Sequence, residues 1–263
     1  MGRWWVSLAL NPFDKPTGHG RRMAYRRTER ETARLAARHD AIVEAARALA
    51  CESGLGAVQI VPVAERVGIA AGTVYRYFPS KDDLVAAVVS ATAEREVATI
   101  RAAAAAAPGA LSGLAAAIAA FASGTVRMRK LAWAMLAEAP PALASKPPPN
   151  PAPQAGAGQG GGAGEGREGA QRLAFRRSIG GEFESLIRAA IAAGHLPDQP
   201  AAAMAAAVIG AAVESLVGPL APASAGQEFE RVAVQEITLF ALRALGVVDA
   251  RARGLVVSVI RNQ

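Results

Sequence analysis

The chain has 263 residues, of which 52% are hydrophobic and 5% are aromatic, and its formal net charge is +7. The hydrophobic content excludes a chain that is disordered throughout, and the scarcity of aromatic residues argues against a β-sandwich. A core built from small residues on closely packed helices remains, which predicts an all-α fold. The positive charge suits a polyanionic partner, although arginine enrichment from a GC-rich coding sequence would produce the same charge.

Cysteine usage and hydropathy indicate the compartment. Cys51 is the only cysteine, which excludes an intramolecular disulfide and a cysteine-based metal cluster and favours a reducing cytoplasm. The longest apolar run, 201–213, is shorter than the roughly 18 to 20 residues that a membrane-spanning helix needs. The apolar stretch 4–10 lacks the cleavage site of a signal peptide. We therefore predict a cytoplasmic protein without a membrane-spanning segment.

Residues 1–30 are predicted to form a disordered, basic arm, because prolines and glycines interrupt any periodicity near its start. Residues 1–22 precede Met23 and are either an over-long gene assignment or an added arm. The arginine-rich run 21–38 either stays solvated or contacts a nucleic-acid backbone or minor groove. A first helix is then predicted from about Thr32 to Ser53, and Gly54 ends it.

The stretch 58–81, VQIVPVAERVGIAAGTVYRYFPSK, predicts two short helices joined by a tight turn. Gln59 can cap the first helix, and Pro62 lies in its opening turn, where a missing N–H costs nothing. Gly68 supplies the positive φ that ends this helix. In the second helix, Val74 and Phe78 form an apolar side at i and i+4, which leaves a polar and aromatic side exposed.

The chain after this stretch predicts a larger helical domain. Ser80 caps the next helix, with Asp83 at the capping-box position. We predict helices over about 80–106, 111–127, 129–138, 170–193, 201–217 and 227–245. Between them, the Pro- and Gly-rich residues 139–169 predict a disordered loop, and residues 247–263 form a tail to which no role is assigned.

Segment 58–81 resembles the DNA-binding domain of the TetR family of transcriptional regulators. The family's glycine turn appears as Gly68-Ile69, and its remaining motif appears as Gly72-Thr73-Val74-Tyr75-Arg76-Tyr77-Phe78 followed by Ser80-Lys81-Asp82-Asp83-Leu84. The resemblance implies a helix-turn-helix domain over 31–80 and an effector-binding and dimerisation domain over 81–246. The sequence departs from the family at Ala70 and Ala71, where many members carry a serine and a polar residue. These alanines remove an N-cap and a base contact, although the Ala71 methyl group can still meet a thymine methyl.

The resemblance also implies the residues that bind. Those expected at the DNA are Gln59, Ile60, Ala71, Gly72, Thr73, Tyr75, Arg76, Tyr77 and Lys81. The large apolar side chains available to line an effector pocket are Phe121, Met128, Trp133, Met135, Phe175 and Phe183. Each of these six has packing in a plain core as its alternative.

The predicted function is a ligand-responsive transcriptional regulator, a repressor that binds a palindromic operator as a homodimer and is released by a small apolar effector. In the family, dimers form through the last two long helices, here 201–217 and 227–245. We expect one side of each helix to pack across the two-fold axis. These sides contain Ala205, Val208, Ala212 and Leu216 on the first helix and Val232, Ile237, Phe240 and Leu245 on the second. The alternative is a degenerate member that acts as a ligand-binding or protein-interaction module.

No enzyme, cofactor or metal is predicted. The chain lacks His-Glu-x-x-His, Gly-x-Ser-x-Gly and Gly-Lys-Ser/Thr motifs, and its three histidines are scattered. Gly156-x-Gly158-x-x-Gly161 matches a dinucleotide fingerprint formally, but no predicted strand precedes it and no predicted helix begins at its last glycine.

Overall fold

The computed structural model describes residues 18–136, 162–222 and 226–261, with side chains described from residue 31 and from residue 169 in the first two ranges. All regular structure in these ranges is helical, which confirms the all-α prediction. The helices are α1 (Gly18–Ser53), α2 (Ile60–Val67), α3 (Ala71–Tyr75), α4 (Lys81–Ala106), α5 (Ala110–Arg127), α6 (Arg129–Leu136), α7 (Gly162–Ala192), α8 (Ala201–Leu216), α9 (Gln227–Ala244) and α10 (Asp249–Arg261), with a 3₁₀ turn at Leu55–Ala57.

Helix α1 begins well before its predicted start at Thr32. The prediction of a disordered arm is therefore wrong for residues 18–30, while residues 1–17 lie outside the described residues. The sequence after Pro16 is rich in Arg, Ala and Glu, which favour helix without needing an apolar face. The internal contacts of the chain form two compact units, residues 1–41 and residues 42–263. In the first unit, residues 31–41 are all exposed.

The second unit, residues 42–263, holds the core, and α5 lies at its centre. This helix packs against α4, α6, α7, α8, α9 and α10. Small residues make these contacts close: a Cβ atom at Gly113 would lie 3.0 Å from the Ala104 carbonyl oxygen on α4. Buried alanines at 115, 117, 119 and 122 continue the same packing. The sequence prediction of closely packed, alanine-rich helices is confirmed.

Helix α5 is also the one described helix that is long and apolar enough to cross a membrane. It has 18 residues and a mean hydropathy of 1.3, but 72% of it is buried inside the fold. Helices of this composition are common in the cores of globular proteins, and α5 has packed neighbours on all sides. Run 201–213, which the sequence analysis considered, belongs to the shorter helix α8.

Helix α7 presents an apolar side to the core. Phe175, Ile179, Phe183 and Ile187 are buried along it, and Gly194, at φ 69°, follows its end, close to the predicted end at residue 193. The predicted loop 139–169 is too long at its C-terminal end, because α7 already begins at Gly162. The rest of that predicted loop lies outside the described residues. Helix α6 is described as far as Leu136, and the last two residues of its predicted range, 137 and 138, also lie outside them.

The tail after residue 246 belongs to the core, which corrects the predicted domain boundary. Helix α10 packs against α5 and α9, and Ala252, Val256 and Val259 are its buried residues. Asp249 in its first turn accepts hydrogen bonds from Arg253 and Arg243. These two arginines hold the pKa of the Asp249 carboxyl below its usual range. The sequence pattern concealed this helix because its apolar side is only three residues long.

We expect Val256→Ala to lower the free energy of unfolding by about 1 to 2 kcal/mol, because it removes two buried methyl groups from the contact of α10 with the core. Urea unfolding of the full chain measures this change. Val257→Ala is the matched control, since Val257 is 57% exposed on the same helix. Equal effects of the two substitutions would show that α10 does not pack as described.

Candidate functional site

Helix α2 starts at the predicted position, but its cap differs from the prediction. Gln59 has the extended backbone of an N-cap, yet its side chain makes no capping hydrogen bond. Its Nε2 atom donates instead to the Gly56 carbonyl oxygen at 3.2 Å. Pro62 lies in the opening turn, as predicted, where it removes no intrahelical hydrogen bond.

The turn between α2 and α3 has the conformation that the sequence predicts. Gly68 has φ 71° and ψ 37°, the left-handed conformation that glycine adopts at little cost. The Gly68 N–H donates to the Glu65 carbonyl at 3.1 Å, and the Ile69 N–H donates to the Ala64 carbonyl at 3.0 Å. This pair of bonds is a Schellman motif, which satisfies the last carbonyls of α2 and sets the direction of the chain into α3.

Helix α3 is short, with five residues from Ala71 to Tyr75. Ala70 stands at its N-cap without a side-chain hydrogen bond, as expected for alanine. The N–H groups of Tyr77 and Phe78 both bond to the Val74 carbonyl at 2.9 Å, so the helical turn continues past Tyr75. Val74 and Phe78 are buried, which confirms the predicted apolar side and anchors the segment to the core.

The opposite side of α3 is open to solvent. The Tyr75 side chain is 53% exposed, Gly72 and Arg76 are exposed, and Ala71, Thr73 and Tyr77 are half-buried. Gly72 has no positive φ, and apart from its chain neighbours and its own helix backbone, no described atom lies within 4 Å of the position that its Cβ atom would take. The chain's own packing therefore gives no reason for glycine at this position.

Helix α2 corrects one predicted binding residue. The Ile60 side chain is buried in the core, so it cannot contact a partner. Gln59 is exposed, as is Val61, at 56%. The exposure of Val61 could not be predicted from the sequence, because an apolar residue between Ile60 and Pro62 gives no indication that it points outward.

The start of α4 holds the end of this segment in place. The Asp83 N–H donates to the Ser80 hydroxyl oxygen at 3.0 Å, and that hydroxyl donates to the Asp83 carboxylate at 2.7 Å. The N-cap is confirmed, although the Asp83 carboxylate bonds the Ser80 hydroxyl where a full capping box would bond the backbone. Lys81 begins α4 and is half-buried.

A charged cluster joins the C-terminal part of α1 to the larger helical bundle. The Glu44 carboxylate accepts from Arg47 at 2.6 Å and lies 3.2 Å from the Arg95 guanidinium on α4. The hydrogen bond from Arg47, with help from Arg95, lowers the pKa of Glu44 to about 2. A second Arg47 nitrogen lies 3.7 Å from the Met128 sulfur, between α5 and α6.

Cys51 lies beside the same charged cluster. The Arg47 guanidinium lies 3.7 Å from its sulfur, but burial raises the pKa of the Cys51 thiol above its ordinary value. Because the thiolate is the reactive form of cysteine, this shift favours an inert, packed thiol.

Four of the six predicted effector residues line one small cavity inside the larger bundle. Phe121, Met128, Met135 and Phe175 surround about 10 Å³ of free space, which is room for no more than one water molecule. Thr92, Glu96 and Thr125 also line this cavity, together with Ala132 and Leu136. The predicted residues are thus brought together around a small space that is lined mainly by apolar side chains.

The other two predicted effector residues lie elsewhere. Phe183 is fully buried one layer away, with its ring 5.7 Å from the Phe121 ring in an edge-to-face contact. Trp133 is half-buried and does not line the cavity, because it lies about 200° around α6 from Met135. Sequence reasoning ranked residues by size, and size does not show which side of a helix meets a cavity.

Thr92 and Glu96 are the polar residues that sequence reasoning missed. Both are buried on α4, in the i, i+4 series that also contains Val88 and Ile100. Two polar residues within an otherwise apolar i, i+4 series are a sequence signal by which this polar part of the cavity could have been predicted. Burial raises the pKa of the Glu96 carboxyl, while Arg127, Arg47 and Arg95 act in the opposite direction.

Comparison with known proteins addresses the helix-turn-helix segment directly. Residues 42–88 match the family model described as bacterial regulatory proteins, tetR family. This segment is therefore similar to the DNA-binding domain of the TetR family. The transcriptional repressor KstR of Rhodococcus jostii is 47% identical over 58 residues, which are 22% of this chain and 27% of KstR. The chain thus spans about a quarter of the length of the relatives that it matches.

Solved structures of TetR regulators extend the likeness to the fold of the larger domain. The fatty acid degradation regulator FadR from Bacillus halodurans has a TM-score of 0.59 at 16% identity, covering 80% of this chain and 97% of that chain. A TetR regulator from Agrobacterium tumefaciens has the same TM-score and coverage at 20% identity. Both likenesses lie at 20% identity or less, and they show the fold of the larger domain.

The glycines of the TetR segment make a matched pair for measurement. We expect Gly68→Ala to lower the free energy of unfolding by about 1 kcal/mol, because alanine is strained at φ 71°. We expect Gly72→Ala to leave stability unchanged or to raise it slightly, since helical alanine is favoured and the space is open. Thermal and urea unfolding measure both. A larger loss at Gly72 than at Gly68 would contradict this account of the turn.

Proposed function

We propose that this TetR-family protein is a transcriptional repressor that binds a palindromic DNA operator as a homodimer and releases it when a small, largely apolar effector binds. The observation that carries the proposal is the solvent-facing side of α3. Tyr75 and Arg76 project from a turn that Val74 and Phe78 anchor in the core. A short, rigidly held helix with exposed polar side chains is the device by which helix-turn-helix proteins enter the major groove.

Exposure and chemistry divide the expected contacts into two groups. Thr73, Tyr77 and Lys81 have the hydroxyl and ammonium donors that suit phosphate oxygens. Tyr75 and Arg76 are exposed enough to reach base edges, and the Ala71 methyl group can meet a thymine methyl. On α2, Gln59 and Val61 take the place of the buried Ile60 in the proposed contact set.

Gly72 also supports the proposed contact between α3 and DNA. Neither its backbone conformation nor its surroundings within the chain call for glycine. A glycine there would allow the backbone of α3 to approach a DNA backbone or base edge closely, where a Cβ atom would collide. This requirement comes from a partner and not from folding.

A second copy of the chain is the proposed occupant of an open groove between α8 and α9. The groove has a volume of about 520 Å³, and its apolar lining includes Leu216, Leu220, Val232 and Phe240. Phe240 is 55% exposed, which is unusual for a large aromatic residue without a partner. Polar groups at its rim, including Arg129 and Glu236, fit the usual arrangement of an apolar interface centre with charges around it.

The side of these helices that meets the second copy differs from the predicted one. Ala205, Val208, Ala212, Leu216, Ile237 and Leu245 are buried in the chain's own core, so they offer little surface to a partner. Of the predicted interface residues, Phe240 is exposed and Val232 is half-buried. The proposed interface therefore uses the same helices rotated toward Phe240.

The cavity bounded by Phe121, Met128, Met135 and Phe175 is the proposed effector site. The Met128 sulfur contacts Arg47 on α1, so displacement of Met128 by an effector would disturb the cluster that joins α1 to the bundle. Regulation of this kind takes place where the DNA is, and we propose a cytoplasmic location.

One observation favours a second function. Ala70 provides no side-chain cap for α3, and a recognition helix without this cap suits a family member that has kept ligand binding and lost specific DNA binding. The dependence of DNA affinity on salt separates the two functions. A repressor retains sequence preference as salt rises, because base contacts do not depend on released counterions, whereas non-specific binding is lost.

We expect Lys81→Ala and Tyr77→Phe to weaken binding to specific and random duplexes by the same factor, since both remove phosphate contacts. Tyr75→Ala should also reduce the ratio of specific to random affinity. Fluorescence anisotropy with the promoter of the chain's own gene and a shuffled duplex, at several salt concentrations, measures these effects. Lys81→Ala should lower the salt slope by about 0.9 for each subunit.

Glu65→Ala serves as the matched control for these measurements, and Gly72→Ala tests the proposed close approach of the α3 backbone. Gly72→Ala should fold normally and bind DNA at least tenfold more weakly, because its Cβ atom would collide with the DNA. Glu65 is exposed on α2 outside the proposed contact set, and its loss should not weaken binding. A uniform loss in all three contact variants would remove Tyr75 from the base-contacting group.

We expect Phe240→Glu to convert the dimer to a monomer at micromolar concentration, because it places a charge in the apolar centre of the groove. Sedimentation equilibrium measures the association state. Val257→Glu is the control, because Val257 is about as exposed as Phe240 but does not line the groove. A wild-type monomer at this concentration would contradict the proposed dimer.

A further inference from the structure

The cavity in the larger bundle contains a polar corner that an apolar effector alone does not explain. Thr92 and Glu96 lie one turn apart on α4, and both line the cavity opposite Phe121 and Phe175. Thr92 is 1% exposed and Glu96 is 7% exposed. Buried polar groups are costly unless they are hydrogen-bonded.

The Thr92 hydroxyl has no hydrogen-bond partner among the described residues. Helical threonines commonly donate to the carbonyl four residues earlier, and two others in this chain do so. Thr238 is equally buried and donates to the Val234 carbonyl at 2.6 Å, while Thr99 donates to the Arg95 carbonyl at 2.8 Å. Thr92 instead leaves its hydroxyl free at the cavity wall.

Glu96 is seated by the packing of α4 against α5. Its Oε2 atom occupies the space that a side chain at position 124 would need, so Gly124 leaves room for the carboxyl group. The carboxyl is thereby held one helical turn from the Thr92 hydroxyl, and both groups border the same cavity. Together they supply a hydrogen-bond acceptor and a group that both donates and accepts.

We propose that this cavity binds a neutral, apolar molecule that carries a hydroxyl group, and that Thr92 and Glu96 recognise that hydroxyl. A single hydroxyl can donate to one of these side chains while it accepts from the other. The inference rests on the proposed function, because it names the chemical class of the effector that the same cavity would take.

Charges around the cavity disfavour the other polar classes. A carboxylate or phosphate on the ligand would face the Glu96 carboxyl across a water-poor interior. A cationic ligand would lose its hydration in this interior and would be repelled by Arg47, Arg95 and Arg127, which act electrostatically on Glu96 although they do not line the cavity. A neutral hydroxyl avoids both penalties and satisfies the free Thr92 group.

Entry of such a ligand requires the cavity to open, because its present free space is about 10 Å³. Met128 and Met135 are the lining residues able to make room. Methionine side chains are unbranched and adapt to irregular shapes at low cost. The aromatic residues Phe121 and Phe175 would then pack against the apolar body of the ligand.

Calorimetric titration of the full-length protein without DNA tests the proposal. The probes are phenol, 2-naphthol and 4-cyclohexylphenol, each paired with its O-methyl ether, which keeps the shape and removes the donor. We expect at least one hydroxyl probe to bind tenfold or more tightly than its ether. 2-Naphthoic acid and 2-(aminomethyl)naphthalene should bind more weakly than 2-naphthol.

Thr92→Val is the decisive variant, because it keeps the side-chain shape and removes only the unpaired hydroxyl. It should reduce the preference for hydroxyl over ether to below about threefold, with an unchanged or raised melting temperature. Thr238→Val is the matched control. It should lower the melting temperature, since it breaks a buried hydrogen bond, and should leave the preference intact. Glu96→Met should reduce the preference as Thr92→Val does.

Three results would overturn the proposal: no hydroxyl probe preferred over its ether, tighter binding of a charged probe, or a full preference retained in Thr92→Val. Operator release is measured separately by anisotropy. Hydroxyl preference without release would uphold this inference and count against the effector role in the proposed function. Release of the operator by ligands that lack a hydroxyl would uphold the effector role in the proposed function and count against this inference.

Discussion

Close packing around α5 is the constraint on which the rest of the described structure depends. Six helices contact α5, and this is possible because much of its surface is alanine and glycine. At Gly113 the backbone of α4 comes within van der Waals contact of α5, and at Gly124 the Glu96 carboxyl takes the place of a side chain. Larger residues at these positions would separate the helices or expel the carboxyl from the interior.

Helix α4 connects the helix-turn-helix segment to the proposed effector cavity through a continuous run of backbone hydrogen bonds. Its N-cap, Ser80, ends the helix-turn-helix segment, and about three to four turns further along it carries Thr92 and Glu96 at the cavity. A rigid helix transmits a small displacement at the cavity to the other end with little loss. The cluster of Glu44, Arg47 and Arg95 adds a second link, from α4 to the last part of α1.

Sequence reasoning succeeded where local chemistry determines the conformation. Gly68 and Gly194 end their helices with positive φ, Ser80 caps α4, and Val74 and Phe78 form the buried side of the turn after Gly72. Each of these depends on residues within about one helical turn. It failed at the start of α1 and at α10, where helix formation did not require a long apolar pattern.

Sequence reasoning also failed where tertiary packing selects a side of a helix. Periodicity grouped Ile237 with Phe240, but the first is buried and the second is exposed. Ile60 and Val61 are chemically alike and adjacent, yet they have opposite exposure. The free hydroxyl of Thr92 depends on the shape of a cavity formed by four helices, and no local pattern contains that information.

The contact between Arg47 and Met128 has a thermodynamic consequence. If a ligand that displaces Met128 weakens DNA binding by some factor, then bound DNA must weaken ligand binding by the same factor. Protein already on its operator would therefore require more ligand than protein free in solution. Non-specific chromosomal DNA would have the same effect to the extent that it holds the protein in the DNA-bound conformation. The ligand concentration that induces transcription would therefore exceed the dissociation constant measured on the isolated protein.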